Sequence, residues 1–351
     1  MVKMRIAAII IVLITLFALP AIGQDPHFSQ FYAAPNYLGP SLAGSSGGTR
    51  FVANYRNQWP GITKTYQTLA FSGDMYINKY RSGFGLIMVS DKAGSAALTT
   101  NLLGMQYSYR VQLGEEWQFV PGLQFTLGQR SIDRNKLIFP DEVQNGYPSA
   151  GDTYLTDTKA QYVDFATSLF LYSPRLWFGL TADHLLAPNY TFMDEKATLP
   201  LKIVQFGGVN IWKQGAKRVE EPRTASLCYR FEYQNSFKQL DLGAYFFARV
   251  LDFGIWYRGL PVFNNKNAGD RKIDSDAIIL MVGYSFGSFR IGYSYDIQLS
   301  SIAAYGAGAH EVSLQLEMGE LFGCGAKYFD CFARRTGIQF DGDRPRKLKI
   351  F

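Results

Sequence analysis
The chain has 351 residues, 47% of them apolar and 15% aromatic, with 34 glycines, three cysteines and a formal net charge of +6. So mild a positive balance, with no basic face interleaved with groove-reading side chains, argues against nucleic-acid binding. No CxxC and no Cys/His cluster at zinc spacing occurs, which argues against a metal site.

Lys3 and Arg5 precede an apolar run from Ile6 to Leu19 and the small residues of Ala21-Ile22-Gly23, the layout of a secretory signal peptide. Residues 1–23 are therefore expected to be cut away before Gln24, leaving 328 residues and a net charge of +4. The run is shorter than the ~18–20 residues of a spanning helix, and no longer apolar run follows. A chain this rich in aromatics then crosses a membrane only as a closed barrel, since hydrocarbon leaves no water for open strand edges; the alternative is a large soluble β-sandwich or propeller, though no period of ~40 residues marks propeller blades.

Residues 24–49, rich in Pro, Gly, Ser and Ala, read as an irregular segment at the barrel mouth. From 50 to 318 about fourteen strands are expected: 50–59, 66–77, 83–91, 98–112, 116–130, 160–173, 175–186, 201–213, 223–234, 237–250, 252–260, 275–286, 288–299 and 308–318. Residues 117–130 are the clearest. Trp117, Phe119, Pro121, Leu123, Phe125 and Leu127 alternate with a wet side holding Gln118, Gln124 and Arg130, as successive side chains of a strand do. Pro121 cannot donate to a central ladder, so a bulge or a position near the periplasmic rim is expected there.

Connections alternate in length. Tight ones at 78–82, 114–115, 173–175, 251 and 286–288 are interleaved with longer ones at 92–97, 131–159, 187–200, 261–274 and 300–307, the asymmetry of outer-membrane barrels, with both termini periplasmic. The connection near 214–222 breaks the pattern. Residues 319–351 hold seven cations and four anions and no useful alternation, and read as a basic periplasmic tail. Cys324 and Cys331 fall there and are candidates for a disulfide, whereas Cys228 reads as a small apolar strand residue.

The fold expected is thus all-β: a transmembrane antiparallel up-and-down barrel with a periplasmic C-terminal tail. Arg56, Arg110, Arg130, Arg249, Arg258 and Arg290, with Asp164, Asp241 and Asp296, would meet in the lumen as ion-pair ladders, or line a mouth that receives a protein. Trp59, Tyr66, Trp117, Trp177, Trp212 and Trp256 suit interfacial girdles. Asp183-His184 and His310-Glu311 look like acid–base pairs, but strand neighbours face opposite sides and no GxSxG occurs. No catalytic residue is expected, and His184 and His310 read as rim residues that satisfy loop backbone groups.

Six short stretches in order resemble the PorP/SprF outer-membrane proteins of the type IX secretion system of Bacteroidota. They are Gln24-Asp25-Pro26-His27-Phe28-Ser29-Gln30-Phe31-Tyr32, Asn54-Tyr55-Arg56-Asn57-Gln58-Trp59-Pro60 and Gly179-Leu180-Thr181-Ala182-Asp183-His184-Leu185, then Gly254-Ile255-Trp256-Tyr257-Arg258, Ile291-Gly292-Tyr293-Ser294-Tyr295-Asp296 and Ala309-His310-Glu311-Val312-Ser313-Leu314. The resemblance implies a non-enzymatic outer-membrane component that helps export or anchor a secreted surface protein, such as a gliding-motility adhesin. Its implied partners are the client's C-terminal export domain, periplasmic components of the machine, the lipid bilayer and lipopolysaccharide. No cofactor, nucleic acid or small-molecule substrate is implied. The long tail departs from the family's usual short one. A porin or substrate-specific channel is the rival reading.

Overall fold
The computed structural model describes residues 25–61, 66–94, 98–133, 158–192, 197–214, 223–235, 237–248, 250–260, 274–299 and 307–318. The expected signal peptide, most of the loop 131–159, the connection near 214–222, Gln24, Arg249, the Cys324–Cys331 pair and the tail lie outside these residues.

The strands are β1 (Thr49–Gln58), β2 (Tyr66–Ile77), β3 (Ser82–Ala93), β4 (Leu98–Tyr109), β5 (Val111–Leu113), β6 (Trp117–Ser131), β7 (Lys159–Tyr172) and β8 (Leu176–Asp183). They continue as β9 (Lys202–Gln214), β10 (Arg223–Gln234), β11 (Phe237–Ala248), β12 (Leu251–Leu260), β13 (Asp274–Phe286), β14 (Phe289–Gln298) and β15 (Ala309–Met318). Each is antiparallel to its neighbours, β1 pairs with β15, and β4 pairs with β6, so the sheet closes on itself. β5 prolongs β4 past Arg110 against the same partner, which makes fourteen staves among the described residues. A closed antiparallel barrel of the expected strand number is what the alternation called for.

Pro121 explains the split between β4 and β5. Ser108 lies opposite Gly122 and Val111 opposite Phe119, the same register on both sides of the break. Of the two alternatives, there is no bulge, and the position lies near a barrel rim: lacking an N–H, Pro121 interrupts the ladder without shifting it, close to the short-turn end of β6. The Arg110 N–H donates to the Arg81 carbonyl at 2.8 Å, which extends the β3–β4 ladder by one pair beyond Ser82 and Tyr109.

One barrel end carries the short turns, the start of β1 and the end of β15. Longer connections lie at the other, except that β10 and β11 join there through a tight turn at Asn235, whose φ is 54°. Outward residues form an apolar coat, with Leu69, Phe71, Met105, Leu123, Ile255 and Leu314 exposed, as a lipid-facing surface requires. Inward residues are polar or small in most strands; in β6 Gln118, Val120 and Thr126 are buried.

The lumen is filled by the chain's own N-terminal segment. Residues 25–48 pass through it in three short helical turns, Phe31–Ala33, Pro35–Leu38 and Pro40–Leu42; Pro35 and Pro40 stand at first helical positions, where no N–H is needed. Asp25 lies beside His184 and Lys202 at the long-loop end, and the Gly44 N–H donates to Asp74 nearer the short-turn end at 2.7 Å. Two expectations change. The segment occupies the lumen rather than its mouth, and because it traverses the barrel, Asp25 and Met318 sit at opposite ends instead of one.

Glycine lets wall and plug approach. A Cβ on Gly122 would stand 2.2 Å from the Ser41 nitrogen, so only glycine admits the plug backbone there. A Cβ on Gly243 would stand 2.1 Å from the Trp256 ring. Trp256 and Trp177 are correspondingly buried in the lumen with Phe31, Tyr32, Phe170, Phe206, Tyr245 and Phe247. They are not girdle residues, because their strand parity matches that of the inward charges. Trp59 and Tyr66 line a luminal cavity, and of the six aromatics expected at the interface Trp117 and Trp212 are exposed on the outward face.

Candidate functional site
The site is the seat that holds residues 25–30. Glu311 in β15 accepts hydrogen bonds from the Ser29 N–H at 2.7 Å and the Gln30 N–H at 3.0 Å, and its backbone carbonyl accepts one from Gln30 Nε2 at 2.8 Å. The Ser29 hydroxyl donates to Asp296 at 2.7 Å and accepts from Arg56 at 2.7 Å and Arg258 at 3.0 Å. Gln30 Oε1 accepts from Ser313 at 2.7 Å. An irregular segment thereby satisfies its backbone donors on wall side chains instead of on a neighbouring strand.

These contacts belong to a continuous chain of charges of alternating sign. Glu311 meets Arg56 at 3.3 Å, Arg56 meets Asp296 at 2.8 Å, Asp296 meets Arg258 at 3.0 Å and Arg258 meets Asp241 at 3.3 Å. Asp241 meets Arg230 at 3.4 Å, Arg230 pairs with Glu232, and Glu232 lies 3.6 Å from Lys202. Lys202 lies 3.3 Å from Asp25, whose other partner is His184 at 2.7 Å, and His184 meets Asp164 at 2.6 Å. Register makes this possible: Arg230 lies opposite Asp241 and Asp241 opposite Arg258, so the three side chains share one inward row. Buried charges are tolerable only when so paired.

His184 takes φ 63° just past β8, which turns its ring into the lumen between two carboxylates. Burial opposes its charging, but Asp25 and Asp164 win and lift its pKa to about 10. Burial alone would raise the Asp25 carboxyl; Lys202 and His184 hold it well below the usual carboxylate range instead. With both ring nitrogens engaged, His184 is a bridge that fastens the N-terminal segment, not a base with a free nitrogen. Its partners are side chains, which corrects the expectation that it caps loop backbone. The acid in question is Asp164, opposite in space, and not its sequence neighbour Asp183.

The structure thus gathers Asp25, Ser29, Gln30, His184, Arg258, Asp296 and Glu311 at one seat. Phe28 meets the Tyr37 ring edge-on at 5.1 Å, the Pro26 carbonyl accepts from the Tyr37 hydroxyl, and Trp256 meets Phe31 edge-on at 4.5 Å. Asn57, Tyr257, Tyr293, Tyr295 and His310 stand on the opposite parity, away from the seat. There the Tyr293 hydroxyl lies 2.8 Å from His310 Nδ1, so His310 does not cap a loop either. Lys202, Arg230 and Glu232 were not singled out from the sequence, although Arg230 and Glu232, two apart in β10, carry the period-two signal of inward charges. Among the described residues no group of His, Cys, Asp and Glu is arranged to hold a metal ion.

Two cavities adjoin the seat. One of about 460 Å³ opens at the long-loop end, lined by Trp59, Tyr66, Asp91, Arg130 and Tyr190 among others; a smaller one of about 70 Å³ lies between the plug and Ile87, Leu102, Thr126 and Ala166.

A family model described as "Type IX secretion system membrane protein PorP/SprF" matches residues 21–316. The chain belongs to the PorP/SprF family. As a PorP/SprF protein it is an outer-membrane β-barrel component of type IX secretion. No curated protein matches it. Solved barrels resemble it at low identity: the CymD monoaromatic hydrocarbon channel (11% identity, 82% of this chain, 93% of that one, TM-score 0.47). The P. putida toluene transporter TodX (9%, 80% and 93%, 0.44) and the Acinetobacter baumannii outer membrane protein Omp33 (8%, 78% and 100%, 0.40) resemble it also.

Proposed function
We propose that this PorP/SprF protein is a non-enzymatic seat in the outer membrane that helps export a secreted surface protein, or holds it at the cell surface, a gliding-motility adhesin being the type of client. The client's C-terminal export domain engages the long-loop end. Periplasmic components of the secretion machine engage the short-turn end, where Met318 leads into the basic tail.

The observation that carries this reading is the filled lumen. A barrel occupied by its own residues 25–48 and cross-braced by ion pairs suits a rigid platform better than a diffusion pore. The test is to isolate the tagged full chain from native membranes and identify what accompanies it. A large secreted protein and periplasmic secretion components are expected; isolation of the barrel alone, with surface display unaffected by its deletion, overturns the reading.

A further inference from the structure
The chain of ion pairs covers the arc from β7 through β15 to β1 and stops there. Over the remaining arc, the row that holds Glu311 and Arg56 continues as Thr68, Asp91, Thr100 and Arg130, each opposite the next. Cross-strand partners share a face, so Asp91 and Arg130 point into the lumen with Thr100 between them. Asp91 accepts a hydrogen bond from Thr68 at 2.6 Å and has no cationic partner among the described residues. Arg130 stacks 4.5 Å over the Tyr190 ring, its Nε has no acceptor, and no carboxylate meets it among the described residues.

Both residues line the cavity of about 460 Å³, a volume in the range of small-molecule sites. Two strands apart, their backbones stand about 10 Å from one another, which leaves room between the side chains for a group bearing both charges. Trp59, Tyr66, Tyr162 and Tyr190 supply the aromatic part of the lining, and Trp59 Nε1 is buried without an acceptor. Facing the cavity from the plug is His27, which burial and the surrounding cations Arg258, Arg56, Arg230 and Lys202 keep well below its ordinary range and therefore neutral. His184 and Asp25 also face it but are spent on each other, and Arg56 on Asp296 and Glu311.

We propose that this cavity binds a zwitterionic ligand of the aromatic or large apolar amino-acid class, free or as a short peptide. Arg130 receives the carboxylate, Asp91 receives the ammonium group, and the aromatic side chains cover the apolar group. The ligand's two charges continue the alternation of sign along the row beyond Arg56, where this chain of ion pairs ends. This goes beyond the export reading, and beyond the sequence, which implied no small-molecule ligand. Client anchoring needs only the long-loop end, so failure of this site leaves that reading standing.

The test is calorimetric titration of the purified full chain in detergent with L-phenylalanine, phenylalaninamide, N-acetyl-phenylalanine and the dipeptide Gly-Phe. Saturable binding of phenylalanine or the dipeptide is expected, and the tighter of the two distinguishes a free amino acid from a peptide source. Loss of either charged group should weaken binding at least about tenfold, as expected for charge-assisted hydrogen bonds. Arg130→Gln should erase the discrimination against the amide alone, and Asp91→Asn the discrimination against the acetylated acid alone. Equal binding of all probes to the wild-type chain, or no saturable binding at millimolar concentration, overturns the proposal without reference to any variant.

Discussion

At one level of the barrel the two sides of the lumen are built differently. Around β12, β14, β15 and β1, inward charges close on one another and on Ser29 and Gln30. Around β3, β4, β6 and β7 the same level offers Ile87, Val89, Leu102, Gly104, Thr126 and Ala166, and the plug stands off to leave the smaller cavity. The difference teaches that Ser29 and Gln30 are fixed from one side, while later plug residues bond the other wall, Asn36 to Gln106 at 2.9 Å and the Ala43 carbonyl to the Ser108 hydroxyl at 2.8 Å. Buried ion pairs fix a segment without regular structure because each one is intolerable alone, whereas small and apolar side chains merely leave it room.

The largest effect should come from the bonded side. Glu311→Ala removes the acceptor of two plug N–H groups and strands Arg56 with Asp296, an expected loss of about 3–5 kcal/mol. Equilibrium unfolding should register it, and amide exchange should show Ser29 and Gln30 losing protection first. Asp91→Ala, in the same row on the open side, should cost less than about 1 kcal/mol, as substitutions away from buried networks do. Equal costs at the two positions would break the comparison.

Much of this was legible in the sequence, and the boundary has a physical cause. A lipid-facing strand must alternate, so Leu123 and Leu127 against Gln118 and Thr126 announced both the stave and its faces. The pairing of charges was not legible. Arg56 and Asp296, or Asp164 and His184, meet through the register of neighbouring strands far apart or loop-separated in sequence, and a shift of one residue would send every side chain to the other face. The course of residues 25–48 was hidden for a different reason: irregular chain has no period, so its path depends on the wall it bonds. The inward place of Trp256 was available, since it shares parity with Asp252 and Arg258, but aromatic character alone drew it toward the interface.

The next effect is one of pH. His184 has a pKa raised above its ordinary 6.5 to about 10, so its contribution is complete below pH 6.5, declines as pH rises and is gone above about 10. Asp25 is depressed below its ordinary 3.8; its contribution is present above that value and fails only in stronger acid. Limited proteolysis of the N-terminal segment should therefore quicken between pH 7 and 10 in the wild-type chain, and a His184→Gln variant should show no such rise. A flat wild-type profile would remove His184 as a fastening of the plug.

The smallest effect is expected on the open side. Ala166→Val adds two methyl groups beside the smaller cavity, where there is space for them, and should change stability by less than about 1 kcal/mol. Ser294→Val, on the bonded wall, should cost about 1–3 kcal/mol, because it crowds Gln30 and removes the hydroxyl that accepts from it at 3.3 Å. Thermal unfolding of the two variants side by side would sharpen the contrast, and a reversal of their order would contradict it.

Conductance in planar bilayers tests the central claim, that the lumen is filled by the chain's own residues 25–48 and serves as a seat. The wild-type protein should show no steady conductance of porin size, and Glu311→Ala should show intermittent openings as the segment leaves its wall. Steady porin-sized conductance from the wild-type protein would contradict the account.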